Sequence, residues 1–200
     1  MEQPQGLRER KKARTRRTLV ETGLRLFDRQ GYDATTVAQI AAAAEVAPAT
    51  FFTYFPAKED LVFAQQPERL QALHAAIADR APGDSVADVL LRGARLLLES
   101  DDWSIESDTG LSAVRARLVA EEPSLRAAAL RRLFDIQDEL AGTLARAFPD
   151  ELDDIAAHAV IGSVVGAVIS TAMSAVRRGA PETVPQVAIR AAQIALAGTA

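Results

Sequence analysis

Apolar residues recur three and four apart along most of this 200-residue chain, and nowhere do they alternate as a half-buried strand requires. The pattern predicts an all-α fold of about nine helices. The first is expected from about Lys11 to Gln30, with Leu19, Gly23, Leu26 and Phe27 on one face and Gly31 as its stop; residues 1–8 read as disordered. Two short helices follow over residues 36–55. The next is expected from about Lys58 to Arg80, with Pro67 inside it to bend or divide the rod by removing a backbone hydrogen bond. After the Ala81-Pro82-Gly83-Asp84 break, Ser85 with Asp88 resembles a cap for a helix reaching about Glu99. Residues 100–110 are the least regular stretch. Helices over about Leu111–Glu121, Pro123–Phe148, Asp150–Arg178 and Thr183–Gly198 complete the chain.

The pair at residues 36–55 is the most informative. Thr36 is followed three residues later by Gln39, so each side chain can take the other's backbone N–H and start a helix. Val37, Ile40, Ala41 and Ala44 form its apolar stripe. Glu45 and Val46 leave room only for a tight turn, and Pro48 suits the first turn of the second helix. Val46, Phe51 and Phe55 can point inward together, which leaves Thr50, Phe52, Thr53 and Tyr54 on the other sides of a helix too short to bury them. This outline is a helix-turn-helix, although a plain helical hairpin in an all-α core shares it. Small residues at the start of the second helix (Ala49 among them), hydroxyls on its open face and Lys58 just beyond suit a major groove. Amides, hydroxyls and an ammonium position phosphates there, while threonine methyls or an aromatic edge meet thymine methyls.

The same stretch resembles the tetracycline-repressor (TetR) family over about residues 14–63. The matching positions are Leu19, Leu26-Phe27, Gly31-Tyr32, Thr35-Thr36-Val37, Ile40-Ala41, Ala44, Val46, Thr50-Phe51-Phe52, Tyr54-Phe55 and Lys58-Glu59-Asp60-Leu61. The resemblance implies a helix-turn-helix head, here residues 11–62, and a ligand-binding and dimerisation body, residues 63–200, with a basic, disordered start over 1–10. It further implies that Thr36 and Tyr54 touch phosphates, that Thr50 and Phe52 sit at the groove and that Lys58 anchors the DNA backbone. The family usually has Gly where Glu45 stands, a Ser-like cap where Ala47 stands and Ser where Ala57 stands. A left-handed turn costs more without Gly, and each lost cap costs about 0.5 to 2 kcal/mol.

The charge of −4 suits a DNA binder only once it is divided. Residues 1–62 carry ten Lys or Arg against eight Asp or Glu, whereas residues 63–200 carry thirteen against nineteen. Arg8, Arg10, Lys11, Lys12, Arg14, Arg16 and Arg17 face one acid, Glu9, within residues 8–17. That is an electrostatic footprint for a polyanion, and Arg14 and Arg17 are expected on DNA. No cysteine is present, which removes disulfide scaffolds and thiolate-held zinc. The polar, charged start is not that of a signal peptide, so a cytoplasmic protein is expected.

Residues 156–176 are apolar enough to suggest a membrane span, but their small and hydroxyl side chains favour a helix packed at a protein interface. Ala159, Ser163, Gly166, Ala167 and Ser170, with Ile189 of the last helix, are expected at a subunit interface. The TetR resemblance likewise implies a homodimer joined by its last two helices. Phe63, His74, Trp103, Arg115, Leu118, Leu130 and Phe134 are candidates to line a small-molecule site, apolar with a few polar handles. Val114–Arg126 also resembles mycofactocin-type regulators within the family, which implies a lipophilic or acyl-thioester effector. Neither histidine has metal-ligand spacing, and neighbouring acids on a helix diverge, so no catalysis, metal or cofactor is expected. The reading is a bacterial transcriptional regulator: a homodimeric, ligand-released repressor on a palindromic operator. A DNA-binding dimer without an effector and a helical-bundle enzyme are its rivals.

Overall fold

The computed structural model describes residues 4–64, 66–99, 109–180 and 184–197, and all regular elements among them are helical. They are α1 (Pro4–Gln30), α2 (Val37–Ala43), α3 (Pro48–Tyr54), a 3-10 turn (Lys58–Leu61), α4 (Gln66–Ala78), α5 (Val86–Glu99), α6 (Thr109–Glu121), α7 (Pro123–Ala147), α8 (Asp154–Arg177) and α9 (Val184–Leu196). The all-α expectation holds. By their contacts these residues form two compact units, one of residues 4–64 with α6 as far as Leu118, the other of residues 66–99 with Val119 onward.

Three boundaries differ from the sequence pattern. α1 starts at Pro4 rather than near Lys11, so most of the start expected to be disordered is helical. Proline is at home in a first turn, and the Arg, Glu and Lys that follow are strong helix formers. The single helix expected over Lys58–Arg80 is two elements. Pro67 sits in the first turn of α4, where its missing N–H breaks no bond, and so it starts a helix instead of kinking one. α8 begins at Asp154 because the Asp153 carboxylate accepts the N–H of Ala156 at 2.7 Å. The Ser85–Asp88 cap forms as expected: the serine hydroxyl accepts the Asp88 N–H at 3.2 Å and the carboxylate accepts the Ser85 N–H at 3.1 Å.

In the first unit Leu19, Val20, Leu24 and Phe27 of α1 are buried, as are Ile40, Ala41, Phe51, Phe55 and Leu61. Leu26, expected on this face, is only half-buried. Gly23 is the point of closest approach: a Cβ there would lie 2.4 Å from Leu61 Cδ1 and 3.7 Å from Ile40 Cγ2. An ion pair between Arg117 and Asp28 joins α6 to α1.

In the second unit the core is made by Leu140, Ala141, Leu144 and Phe148 with Ala157, Ile161 and Val164 of α8, Ala192 and Leu196 of α9, and Val86, Val89 and Leu90 of α5. Arg80 closes one end, donating through Nε to the Ala147 carbonyl at 2.6 Å with its guanidinium 4.3 Å from the centre of the Phe148 ring. His158 links α8 to α7, Nδ1 lying 2.7 Å from the Asp154 carbonyl and Nε2 3.1 Å from the Asp138 carboxylate. That carbonyl first, then the carboxylate, raises the imidazole pKa above 6.5. The link therefore contributes fully below that value and is lost as pH rises through the raised one.

Gly23→Ala is expected to destabilise the protein by about 1 to 2 kcal/mol, because crowding against fully buried Leu61 outweighs the gain of roughly 1 kcal/mol in helix propensity. A urea titration measures this, and an unchanged or higher midpoint would show that Leu61 yields.

Candidate nucleic-acid interface

The interface is built from two helices of seven residues each. α2 begins with the expected reciprocal cap, in which Thr36 Oγ1 accepts the Gln39 N–H at 3.2 Å and Gln39 Oε1 accepts the Thr36 N–H at 2.8 Å. Ile40, Ala41 and Ala44 are buried. The helix ends in a left-handed turn at Glu45, whose φ is +56°, with Val46 N–H bonded to the Ala41 carbonyl at 2.9 Å and Glu45 N–H to the Ala42 carbonyl at 3.1 Å. That double bond pattern caps two carbonyls that would otherwise be orphaned. So the glutamate adopts the conformation that favours glycine, and the two hydrogen bonds offset its strain.

α3 has Pro48 at its start and no side-chain cap from Ala47, as expected. Phe51 and Phe55 are buried, Val46 is half-buried, and the two rings stand 5.7 Å apart. The remaining positions are on the open side. Ala49 and Thr53 are exposed, Thr50 and Tyr54 half-exposed, and the Phe52 ring is 56% exposed, edge-on to Phe51 at 5.5 Å. The Thr53 hydroxyl donates to the Ala49 carbonyl at 3.3 Å.

The cations of this unit divide into two kinds. Arg14 and Arg17 are exposed on α1. Arg16 instead lies 5.5 Å from the centre of the Phe55 ring and donates to the Ala64 carbonyl. The spacing held that signal: Arg16 stands three, four and seven residues before Leu19, Val20 and Gly23, on the buried stripe of α1. Lys58, expected as a phosphate anchor, is half-buried and engaged within the unit. Its Nζ donates to the Tyr32 carbonyl at 2.8 Å and the Thr35 carbonyl at 3.2 Å.

The residues expected to line an effector site are divided between the units. Phe63, Arg115 and Leu118 belong to the first; His74, Leu130 and Phe134 to the second; Trp103 lies outside the described residues. Leu118 is buried and Phe63 and Arg115 are half-buried, whereas Leu130 and Phe134 are 51% and 69% exposed on α7. His74 Nδ1 is 2.7 Å from Thr143 Oγ1, and Nε2 is 3.6 Å from the Glu139 carboxylate. A cavity of about 560 Å³ in the second unit is lined by Ala78, Arg80, Pro82, Thr143, Arg146 and Ala147, none of them an expected lining residue. Among the described residues no three His, Asp or Glu are grouped to hold a metal.

Of the expected subunit-interface residues, Ala159, Ser163, Gly166 and Ser170 are exposed, and Ala167 and Ile189 half-buried. Ile155 continues the exposed row on α8 and is 79% exposed; a Cβ on Gly166 would meet nothing within 4 Å. By length and composition α8 could cross a membrane, and only 17% of its most apolar window is buried within the chain.

Residues 19–64 match the model of the family described as bacterial regulatory proteins, tetR family. The chain is 36% identical over 169 residues to the HTH-type transcriptional regulator TcmR of Streptomyces glaucescens, covering 80% of this chain and 75% of that protein. The fold is similar to that of the fatty acid degradation regulator FadR from Bacillus halodurans, with a TM-score of 0.61 at 18% identity over 92% of this chain and 95% of that one. It is also similar to Thermus thermophilus FadR in complex with lauroyl-CoA, with a TM-score of 0.55 at 21% identity and the same coverage.

Glu45→Gly is expected to stabilise the protein by about 0.5 to 1 kcal/mol, since removing left-handed strain of roughly 1 to 2 kcal/mol outweighs the added freedom of the unfolded chain. Thermal unfolding checks it, and a lower midpoint would mean that the glutamate side chain contributes more than its backbone costs.

Proposed function

The chain belongs to the tetR family of bacterial transcriptional regulators, and on that premise we propose that it is a homodimeric repressor that holds a palindromic operator until a small molecule enters its helical body. Residues 11–62 act as the DNA-binding domain and residues 63–200 as the effector-binding and dimerisation domain. The observation that carries the DNA half is the open side of α3, left exposed on a unit that buries Phe51 and Phe55 beneath it and that also exposes the cations Arg14 and Arg17. Thr50, Phe52 and Ala49 meet the groove, and Thr36, Thr53, Tyr54 and the two arginines hold phosphates. With Phe52 and Ala49 apolar, reading leans on thymine methyls and duplex shape.

The uncovered row on α8 supports the pairing. Apolar surface removed from water contributes about 25 cal/mol per Å², and Ala159, Ser163, Gly166 and Ser170 allow two backbones to approach closely. A second copy covers Ile155 along with them, and two-fold symmetry sets the two recognition helices roughly 34 to 36 Å apart, one turn of DNA. This assigns the apolar outer side of α8 to a partner subunit and not to lipid.

The effector is lipophilic, an acyl thioester being the first class to try. Leu130 and Phe134 offer exposed apolar surface on α7, and lauroyl-CoA is the molecule held by Thermus thermophilus FadR. To act at all, it must bind the DNA-releasing state more tightly than the DNA-holding one.

Gly166→Arg is expected to leave the protomer folded, halve the mass seen in sedimentation and weaken binding to a duplex selected from a random pool by about 100-fold or more, as two-headed binding is lost. A monomeric wild-type chain that binds equally well would overturn the pairing. Lauroyl-CoA should raise the melting temperature of the wild-type protein and release that duplex. Failure of a series of acyl thioesters and lipophilic compounds to do either would favour a dimer with no effector.

A further inference from the structure

We propose that the cavity where α4 and α7 end is an anion-binding site, which takes the carboxylate or phosphate group of a small organic molecule. All its lining residues belong to the second unit, and it lies further along α7 than Leu130 and Phe134. The site does not depend on the regulator reading above: a chain that bound no duplex would end that reading and leave this one standing.

Its volume of about 560 Å³ is in the range of small-molecule sites, roughly 300 to 1,000 Å³. Ala78, Pro82 and Ala147 give it apolar walls, to which Thr143 adds a hydroxyl and Arg80 and Arg146 two guanidinium groups. Both cations are held in place by neutral groups. Arg80 donates through Nε to the Ala147 carbonyl at 2.6 Å and lies over the buried Phe148 ring. Arg146 donates from Nη2 to the Thr143 hydroxyl at 3.1 Å. That hydroxyl is itself fixed, donating to the Glu139 carbonyl at 3.0 Å and standing 2.7 Å from His74 Nδ1. A Cβ on Gly142 would stand 3.3 Å from Arg146 Nη1, so the glycine one turn back gives that guanidinium room to lie along α7. A carbonyl, a ring and a hydroxyl orient the two charges without neutralising either.

The acids nearby are committed elsewhere. Asp84 senses the field of Arg80, but its carboxylate accepts from Arg92 at 2.6 Å and from the Ala81 N–H at 2.9 Å. Glu139 faces His74 Nε2 at 3.6 Å. Among the described residues neither Arg80 nor Arg146 is in an ion pair, although residues 63–200 carry nineteen acids against thirteen Lys or Arg. The last carbonyls of α7 would repel an anion, and Arg80 covers the one at Ala147. A guanidinium has five N–H donors, so each arginine has donors to spare after the bonds that hold it. Donors of this kind, fixed beforehand and aimed by neutral partners, suit the oxygens of a carboxylate or phosphate, and the apolar walls suit the carbon skeleton that bears it.

The test uses the full-length protein and probes that share one carbon chain: octanoate, octyl phosphate and uncharged 1-octanol. Calorimetric titration should show at least one of the anions binding about tenfold or more tightly than 1-octanol, and the tighter of the two tells carboxylate from phosphate. Arg146→Gln, at an exposed position, keeps a donor for Thr143. It should fold with an unchanged melting temperature and weaken the anion by about tenfold or more, with 1-octanol unaffected. On the wild-type chain, the bound anion should shield Arg146 from phenylglyoxal while exposed Arg14 and Arg17 react as before. That labelling decides the matter should Arg146→Gln fail to fold. Anions that bind no better than 1-octanol, equal affinity in folded Arg146→Gln, or an unshielded Arg146 would each overturn the proposal.

Discussion

A helix of seven residues is far below the length at which an isolated helix persists in water, so α3 exists because Phe51 and Phe55 are buried beneath it. The same burial requires α1 to come close, and Gly23 is what permits this, leaving the space that Leu61 fills. Once those apolar side chains are placed, the exposed side of α3 has no freedom of its own. Phe52 and Thr50 stand where they do because Phe51 cannot leave the core.

Local devices were legible in the residues themselves. The Thr36–Gln39 and Ser85–Asp88 caps, the stop at Gly31 and the starts at Pro48 and Pro123 each depend on neighbours within a turn, and each is in place. Pro67 shows how such a signal is misplaced: its chemistry forbids a helix interior, which argues equally for a kink or for a new start, and only the burial of Leu61 and Val62 before it selects the start. Glu45 went the other way. Its side chain disfavours left-handed backbone, but the two capping bonds and the short connection to Pro48 leave no other route.

The part played by Lys58 was beyond reach because its carbonyl partners are 26 and 23 residues away in the chain, whereas the place of Arg16 on the buried stripe of α1 was legible but its partner Ala64, 48 residues on, was not. In a count of charges both look like any solvated cation. The expected effector residues divide for a related reason: Leu118, Leu130 and Phe134 are alike in composition, yet one is buried and two are largely exposed. Apolar type does not say whether a side chain fills a core or faces an opening. Family membership fixes the class of protein, while the details of what it senses lie in contacts of this kind.

The length of α1 has an effect beyond packing. Its 27 residues extend about 40 Å at 1.5 Å per residue, and the basic stretch occupies the end far from Phe27. Successive residues of a helix point about 100° apart, so exposed Arg8, Arg10, Lys11, Lys12, Arg14 and Arg17 ring a rigid rod instead of gathering on one side. A field of that shape draws a polyanion from almost any approach within a screening length of roughly 8 to 10 Å, but discriminates little between orientations. On the proposed reading, capture is thus spread around this rod, while alignment falls to the open side of α3.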